Sequence, residues 1–188
     1  NGSFTYTPDL DYNTDEHGAE SFMFRVSDEA GGHAIGTVSI YVGPGNDPPV
    51  LAVIGNQSTN EDTDFTISVS SSDIDLEFYG ESHTFTLTCD DESLVTTSCS
   101  STGSSTADCT FDVQDHQYGS ANCTVTVTDG NGSSDSESIT LTVNSVNDDV
   151  TLSAVGNQST DEDTDLTISV SSSDADLANY GETHTFTL

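Results

Sequence analysis

The 188-residue chain holds one basic residue, Arg25, against 33 acidic ones, a formal net charge of −32. Such a surface repels nucleic-acid phosphates and anionic lipid, which excludes both as partners, and it suits bound divalent cations or high salt. No apolar run approaches the ~20 residues of a membrane span and no signal peptide is visible, so no membrane insertion is expected in this segment.

Nearly every stretch alternates apolar and polar residues, the mark of strands with one buried face. Phe4 and Tyr6 alternate with Thr; Phe22, Phe24 and Val26 follow, then Val38, Ile40 and Val42. After Gly45-Asn46-Asp47-Pro48-Pro49 the inward sets are Phe65/Ile67/Val69, Phe85/Leu87/Cys89, Cys109/Phe111/Val113, Cys123/Val125/Val127 and Ile139/Leu141/Val143. The last stretch brings Leu166/Ile168/Val170 and Phe186/Leu188. Thr and Ser fill the outward positions, where β-branched Thr suits an exposed pleat. Gly31-Gly32, Gly80, Gly103 and Asp129-Gly130-Asn131-Gly132 mark turns. So Ser/Thr-rich a chain raises the question of disorder, and the sustained alternation answers it in favour of an ordered fold. About seven short strands per hundred residues, with no helical periodicity, predict an all-β fold of immunoglobulin-like sandwiches. Trp is absent, and with it the Cys…Trp…Cys core of antibody domains.

Residues 55–87 and 156–188 match at 27 of 33 positions and lie 101 residues apart. The same offset relates Asp28 to Asp129 and Asn46-Asp47 to Asn147-Asp148. A period near one hundred residues is one small domain, so the chain reads as an array. Residues 1–49 form the C-terminal part of a first sandwich repeat, 50–150 a complete repeat, and 151–188 the N-terminal part of a third.

The four cysteines all fall in the complete repeat, on inward positions, and predict disulfides and an oxidising compartment. Phe4 and Phe22 stand in the earlier repeat where Cys109 and Cys123 stand here. Joint replacement points to Cys109–Cys123, which leaves Cys89 for Cys99; Cys89–Cys123 with Cys99–Cys109 stays open. Asn1, Asn56, Asn122, Asn131 and Asn157 head Asn-X-Ser/Thr glycosylation sequons, Asn56 and Asn157 at one repeat position.

The acids cluster at strand ends and recur between repeats: Glu61-Asp62 and Glu162-Asp163, Asp73-X-Asp75 and Asp174-X-Asp176, Asp28 and Asp129, Asn46-Asp47 and Asn147-Asp148. In this order and spacing the chain resembles the cadherin-like tandem repeats of microbial surface adhesins. There a domain ends in VSD or VTD plus a last strand, an Asn-Asp linker follows, and the next domain carries an early Glu and an AspXAsp loop. The resemblance implies calcium at each junction, held by acids of consecutive domains. Carried over, the first junction would use Asp28, Asn46, Asp47, Glu61, Asp73 and Asp75, and the second Asp129, Asn147, Asp148, Glu162, Asp174 and Asp176. Six to eight oxygen ligands suit calcium. Carboxylates gathered at ~4–6 Å raise one another's pKa and oppose folding unless a cation is present. A cadherin linker has a further Asp where this chain has Pro44 and Ser145, which changes the ligand count per junction. Solvated strand-end acids are the plainer alternative.

A second candidate is the loop with Asp9, Asp11, Asn13, Asp15 and Glu20, whose oxygens match the spacing of an EF-type loop. Thr14 stands where such a loop needs Gly and strands flank it, so an ordinary acidic loop is the reading preferred. The five histidines follow no metal-ligand spacing, and His83 and His184, at equivalent strand starts, are expected on the surface. No nucleophile elbow or phosphate loop is present, and the cysteine spacing is not a zinc pattern. The chain is therefore read as non-enzymatic: an extracellular or cell-surface repeat forming a calcium-stiffened stalk or filament. Its partners would be neighbouring copies of itself, head to tail, since residues 151–188 and 1–49 supply complementary parts of one sandwich. The alternatives are an adhesive module gripping a glycan or receptor, for which Tyr79, Tyr118 and Tyr180 are the available aromatics, and halophilic adaptation without specific ions.

Overall fold

The computed structural model describes residues 2–76, 80–177 and 181–188. Asn1, Tyr79 and Tyr180 lie outside them. Among the described residues, those of 50–144, the stretch read as the complete repeat, form a two-layer sandwich of eight strands. One sheet runs β3-β5-β8-β7, from β3 (Val50–Leu51), β5 (Phe65–Ser72), β8 (Thr106–Val113) and β7 (Val95–Ser101). The other runs β4-β10-β9-β6, from β4 (Gln57–Asn60), β10 (Ser134–Asn144), β9 (Gly119–Thr128) and β6 (Thr84–Cys89). Adjacent strands are antiparallel except β4 and β10, which run parallel with Leu141 opposite Gln57 and Asn144 opposite Asn60. The first strand is thus split between the sheets, and its second half lies along the last strand.

Alternation places the core. Val69, Phe85, Leu87, Phe111, Val113, Val125, Val127, Ile139, Leu141 and Val143 are buried between the sheets, with Phe65 and Ile67 packed against them. The Phe65 and Phe111 rings stack at 4.6 Å between centroids. Strand β7 was not among the expected inward sets: only Val95 is buried there, while Thr97, on the same face, donates its hydroxyl to Leu87 O at 2.6 Å.

The disulfides do not pair as the preferred Cys109–Cys123 with Cys89–Cys99 but as the alternative left open. Cys89 bonds Cys123, and Cys99 bonds Cys109. The cause is register: Cys89 faces Cys123 across the β6–β9 ladder and Cys99 faces Cys109 across β7–β8. Cα separations of 4.0 and 4.1 Å make each cross-strand neighbour the available partner. Phe4 and Phe22 do meet in the first segment, edge to face at 4.6 Å. Large rings touch there, whereas each cysteine at those positions is taken by the neighbour in its own sheet.

The first segment carries a helical turn, α1 (Thr14–His17), and a hairpin of β1 (Glu20–Ser27) and β2 (His33–Ile40). Its inward face is open, with Val26 at 60% exposure. The last segment pairs β11 (Thr151–Leu152) with β12 (Ser172–Ser173) and leaves Leu166, Ile168 and Val170 nearly half exposed. Among the described residues no helix is long and apolar enough to cross a membrane.

Candidate metal centre

The linker Asn46-Asp47 enters the complete repeat beside the turn that joins β9 to β10. Asp129 closes that turn: its Oδ1 accepts from Asn131 N (2.9 Å) and Ser133 N (2.8 Å), with Gly132 in the left-handed region at φ 95°. Its Oδ2 accepts from Asn46 Nδ2 at 2.9 Å. Asp75 is buried, accepting from Asp47 N at 2.7 Å, and its own N–H donates to Asp73 Oδ1 at 2.9 Å. Glu81 completes the group. Its Oε1 accepts from Asn131 Nδ2 at 2.9 Å, while Oε2 is buried and has no hydrogen-bond partner. Asp73, Glu81 and Asp129 each present an oxygen, and these lie within 4.8 Å of one another. Glu81 escaped the sequence reading, although its repeat mate Glu182 was a signal of the kind applied to the other acids.

Electrostatics here are divided. Burial, then the charges of Asp129, Asp75 and Asp73, push the Glu81 carboxyl above the usual range. Burial and the charges of Asp11, Asp75 and Asp73 do the same to Asp47. Asp129 is held below it, chiefly by the Asn46 amide and also by backbone N–H groups of its turn. Glu81 and Asp47 are therefore the acids whose ionised forms the site disfavours.

The expected ligand groupings change in two places. Glu61 is not at the first junction. It is buried at the opposite end of the sandwich, with its N–H on Asn144 O at 2.8 Å and its Oε1 accepting from Val146 N at 2.5 Å. Asp129 sits at the first junction instead of the second. Strand direction explains both: β4 leads into Glu61 parallel to β10, so both leave at the C-terminal linker, and antiparallel β9 delivers Asp129 to the other end. Asp28, the repeat mate of Asp129, closes the β1–β2 turn by accepting from Gly32 N at 2.7 Å. The hydrogen bonds that the structure records for Asp28 and those of Asn46 share no partner.

The second junction repeats the hardware of the first. Asp176, also buried, accepts from Asp148 N at 2.5 Å and donates its N–H to Asp174 Oδ1 at 2.9 Å. Asn147 Nδ2 donates to Asp148 O at 2.6 Å, and Glu162 is exposed. A histidine joins this junction: His116 Nδ1 lies 2.7 Å from Asp148 Oδ2 and 3.7 Å from Asp62 Oδ2, and its backbone N–H donates to Asp62 Oδ1 at 2.8 Å. The hydrogen bond to Asp148 raises the His116 pKa above its ordinary value.

The EF-type loop does not close on one point. Asn13 Oδ1 caps α1 by accepting from Glu16 N at 3.0 Å, and Asp15 accepts from Tyr41 OH at 3.3 Å. Burial and a hydrogen bond to Glu20 push the Tyr6 phenol up to about 12 and raise Tyr12 as well. Asp9 O closes a turn by accepting from Tyr12 N at 3.3 Å. Asp11, at φ 58° like His116, and Asn13 line a cleft shared with Asn46, Asp47 and Asp75. Asn131, a sequon residue, is committed to Glu81 and Asn46. Asn56 Oδ1 accepts from Thr140 N at 2.9 Å, Asn122 Nδ2 donates to Asp90, and Asn157 is exposed. His83 and His184 correct another expectation: His83 is buried, not on the surface, and both bond to the AspXAsp loops.

No curated protein matches the chain. Among solved structures, the protocadherin GammaB4 extracellular domain is similar with a TM-score of 0.50 at 20% identity, over 87% of this chain and 27% of that one. Domains 4 and 5 of the S-layer protein SbsC give 0.40 at 18% identity, over 60% of this chain and 63% of that one. An endo-fucoidan hydrolase of glycoside hydrolase family 107 gives 0.39 at 18% identity, over 68% of this chain and 19% of that one. The chain spans less than two thirds of each of these proteins, and at such identities the likeness is one of fold. The model of the bacterial Ig domain family matches residues 1–41 and 46–144, well over half of the sequence, and the chain belongs to that family.

Proposed function

We propose that the chain is a run of non-enzymatic structural repeats of an extracellular or cell-surface protein, clamped at its junctions by calcium into a stalk or filament. The observation that carries this is Glu81 Oε2, buried without a hydrogen-bond partner among acids. A buried, unpaired carboxylate oxygen costs free energy that a bound cation offsets. The residues fit the ion. Calcium–oxygen bonds of about 2.4 Å let ligands on one ion lie up to about 4.8 Å apart, and the oxygens of Asp73, Glu81 and Asp129 lie within 4.8 Å of one another. The donors are all oxygen, with no sulfur or nitrogen to favour a softer metal. Asp73, Glu81 and Asp129 would hold the ion from the repeat, and Asn46 and Asp47 from the linker. Calcium would supply the positive charge that ties linker to domain. Neighbouring repeats would then align head to tail, and the two disulfides suit an oxidising compartment outside the cell.

Thermal melts in calcium and in EDTA at constant ionic strength test this. Calcium at about a hundred times Kd adds about 2.7 kcal/mol, on the order of 10 °C for a domain of this size. Glu81→Gln should abolish the calcium-dependent rise while melting no lower than the unaltered chain in EDTA. X-ray scattering should show domain angles loosening on chelation. A melting temperature indifferent to EDTA at low salt would overturn the reading and favour halophilic adaptation.

A further inference from the structure

Behind the AspXAsp loop runs a chain of hydrogen bonds that the acid cluster alone does not require. His83 is fully shielded from solvent, as is the side chain of Asp73. His83 Nε2 lies 3.2 Å from Asp73 Oδ2 and Nδ1 lies 2.6 Å from Ser71 Oγ. An ionised carboxylate can only accept, so Nε2 carries a proton; in the neutral imidazole Nδ1 then accepts from the Ser71 hydroxyl, which also lies 3.4 Å from Ser105 O. Backbone bonds fix both ends: Ser71 N donates to Ser105 O at 3.0 Å and His83 N to Ser104 O at 2.7 Å. The third repeat builds the same relay, with His184 Nδ1 2.5 Å from Ser172 Oγ and Nε2 3.3 Å from Asp174 Oδ2. The connectivity is that of an acyl-transfer triad, but the imidazole and carboxylate are sealed from any substrate.

We propose that His83, pinned by Ser71, is a positioning residue of the junction cation site, and that it holds Asp73 in the orientation a divalent ion requires. This rests on the calcium reading above. With Oδ2 tied to His83 and Oδ1 to Asp75 N, the Asp73 carboxylate cannot rotate, yet each oxygen keeps a lone pair. Asp75 in turn holds Asp47 N, so the relay runs from the sheet to the linker. A ligand fixed before the ion arrives loses less freedom on binding it, and partners that fix metal ligands are typically worth about 10–100-fold in affinity.

The test is calcium affinity by isothermal titration on the full chain, alongside melting in EDTA. His83→Leu, which removes the donor, should weaken binding about 10–100-fold. His83→Gln, whose amide can still reach Asp73, should recover most of it. Ser71→Ala, at a half-buried position, should weaken binding several-fold with little change in EDTA melting. If His83→Leu does not fold, Ser71→Ala decides alone. Affinity within twofold of the unaltered chain in Ser71→Ala, and in His83→Leu where it folds, overturns the inference while leaving the calcium reading intact, provided that Glu81→Gln abolishes binding. No calcium binding by the unaltered chain overturns both.

Discussion

Asp90 and Asn122 face each other outside the junctions, where no cation is invoked. Asn122 gives Asp90 its amide Nδ2 at 3.0 Å and its backbone N–H at 2.9 Å, and these bonds hold the Asp90 carboxyl below its usual range. A depressed acid stabilises the fold above its ordinary pKa, and this contribution fades as pH falls through the depressed value. Asn122→Ala should raise the Asp90 pKa toward the ordinary one, read by carbon-13 NMR of the carboxyl groups, and should lower stability near neutral pH while leaving a shallower loss on acidification. At this scale recurrence was a good guide. Asp75 and Asp176 occupy matching sites and accept from linker N–H groups at both junctions, each anchored in turn on Asp73 or Asp174. It failed for His83: a polar residue at a strand start looks solvated until the Ser104 carbonyl and Asp73 close over it.

Strands were legible wherever apolar residues keep one parity, as in Cys123/Val125/Val127. Strand β7 was not, because Thr97 holds an inward position and conceals the alternation. Nor does a repeat spacing tell which end of a sandwich an acid reaches. That depends on strand direction, and the parallel β4–β10 pairing, which sends Glu61 to the far linker, joins residues over eighty apart in sequence. The disulfides belong to this scale too. Each staples an edge strand, β6 or β7, to its inner neighbour, closing spans of 34 and 10 residues. Taken singly, loops of these lengths contribute about 4 and about 3 kcal/mol. The shorter lies inside the longer, so the pair gives less than the sum. Replacing Cys89 and Cys123 with Ala should therefore cost more than replacing Cys99 and Cys109, measured by chemical denaturation in calcium.

Taken whole, the molecule carries its charge of −32 over 188 residues with a single arginine to offset it. Self-repulsion on that scale opposes the compact state and is screened as the Debye length shrinks from ~30 Å at 0.01 M salt to ~3 Å at 1 M. In EDTA the melting temperature should climb with sodium chloride, and added calcium should flatten the climb, because the most crowded charges are then matched locally. The β4–β10 pairing also governs how a repeat answers a pull. Tension entering through one linker and leaving through the other draws these two strands past each other lengthwise. Their backbone bonds are then strained together, along with those from Leu51, Ile54 and Gly55 N–H to the Asp135 and Glu137 side chains. Such a seam does not peel open rung by rung. It yields as a unit, so a tether of these repeats would hold its length under load until a whole module gave way.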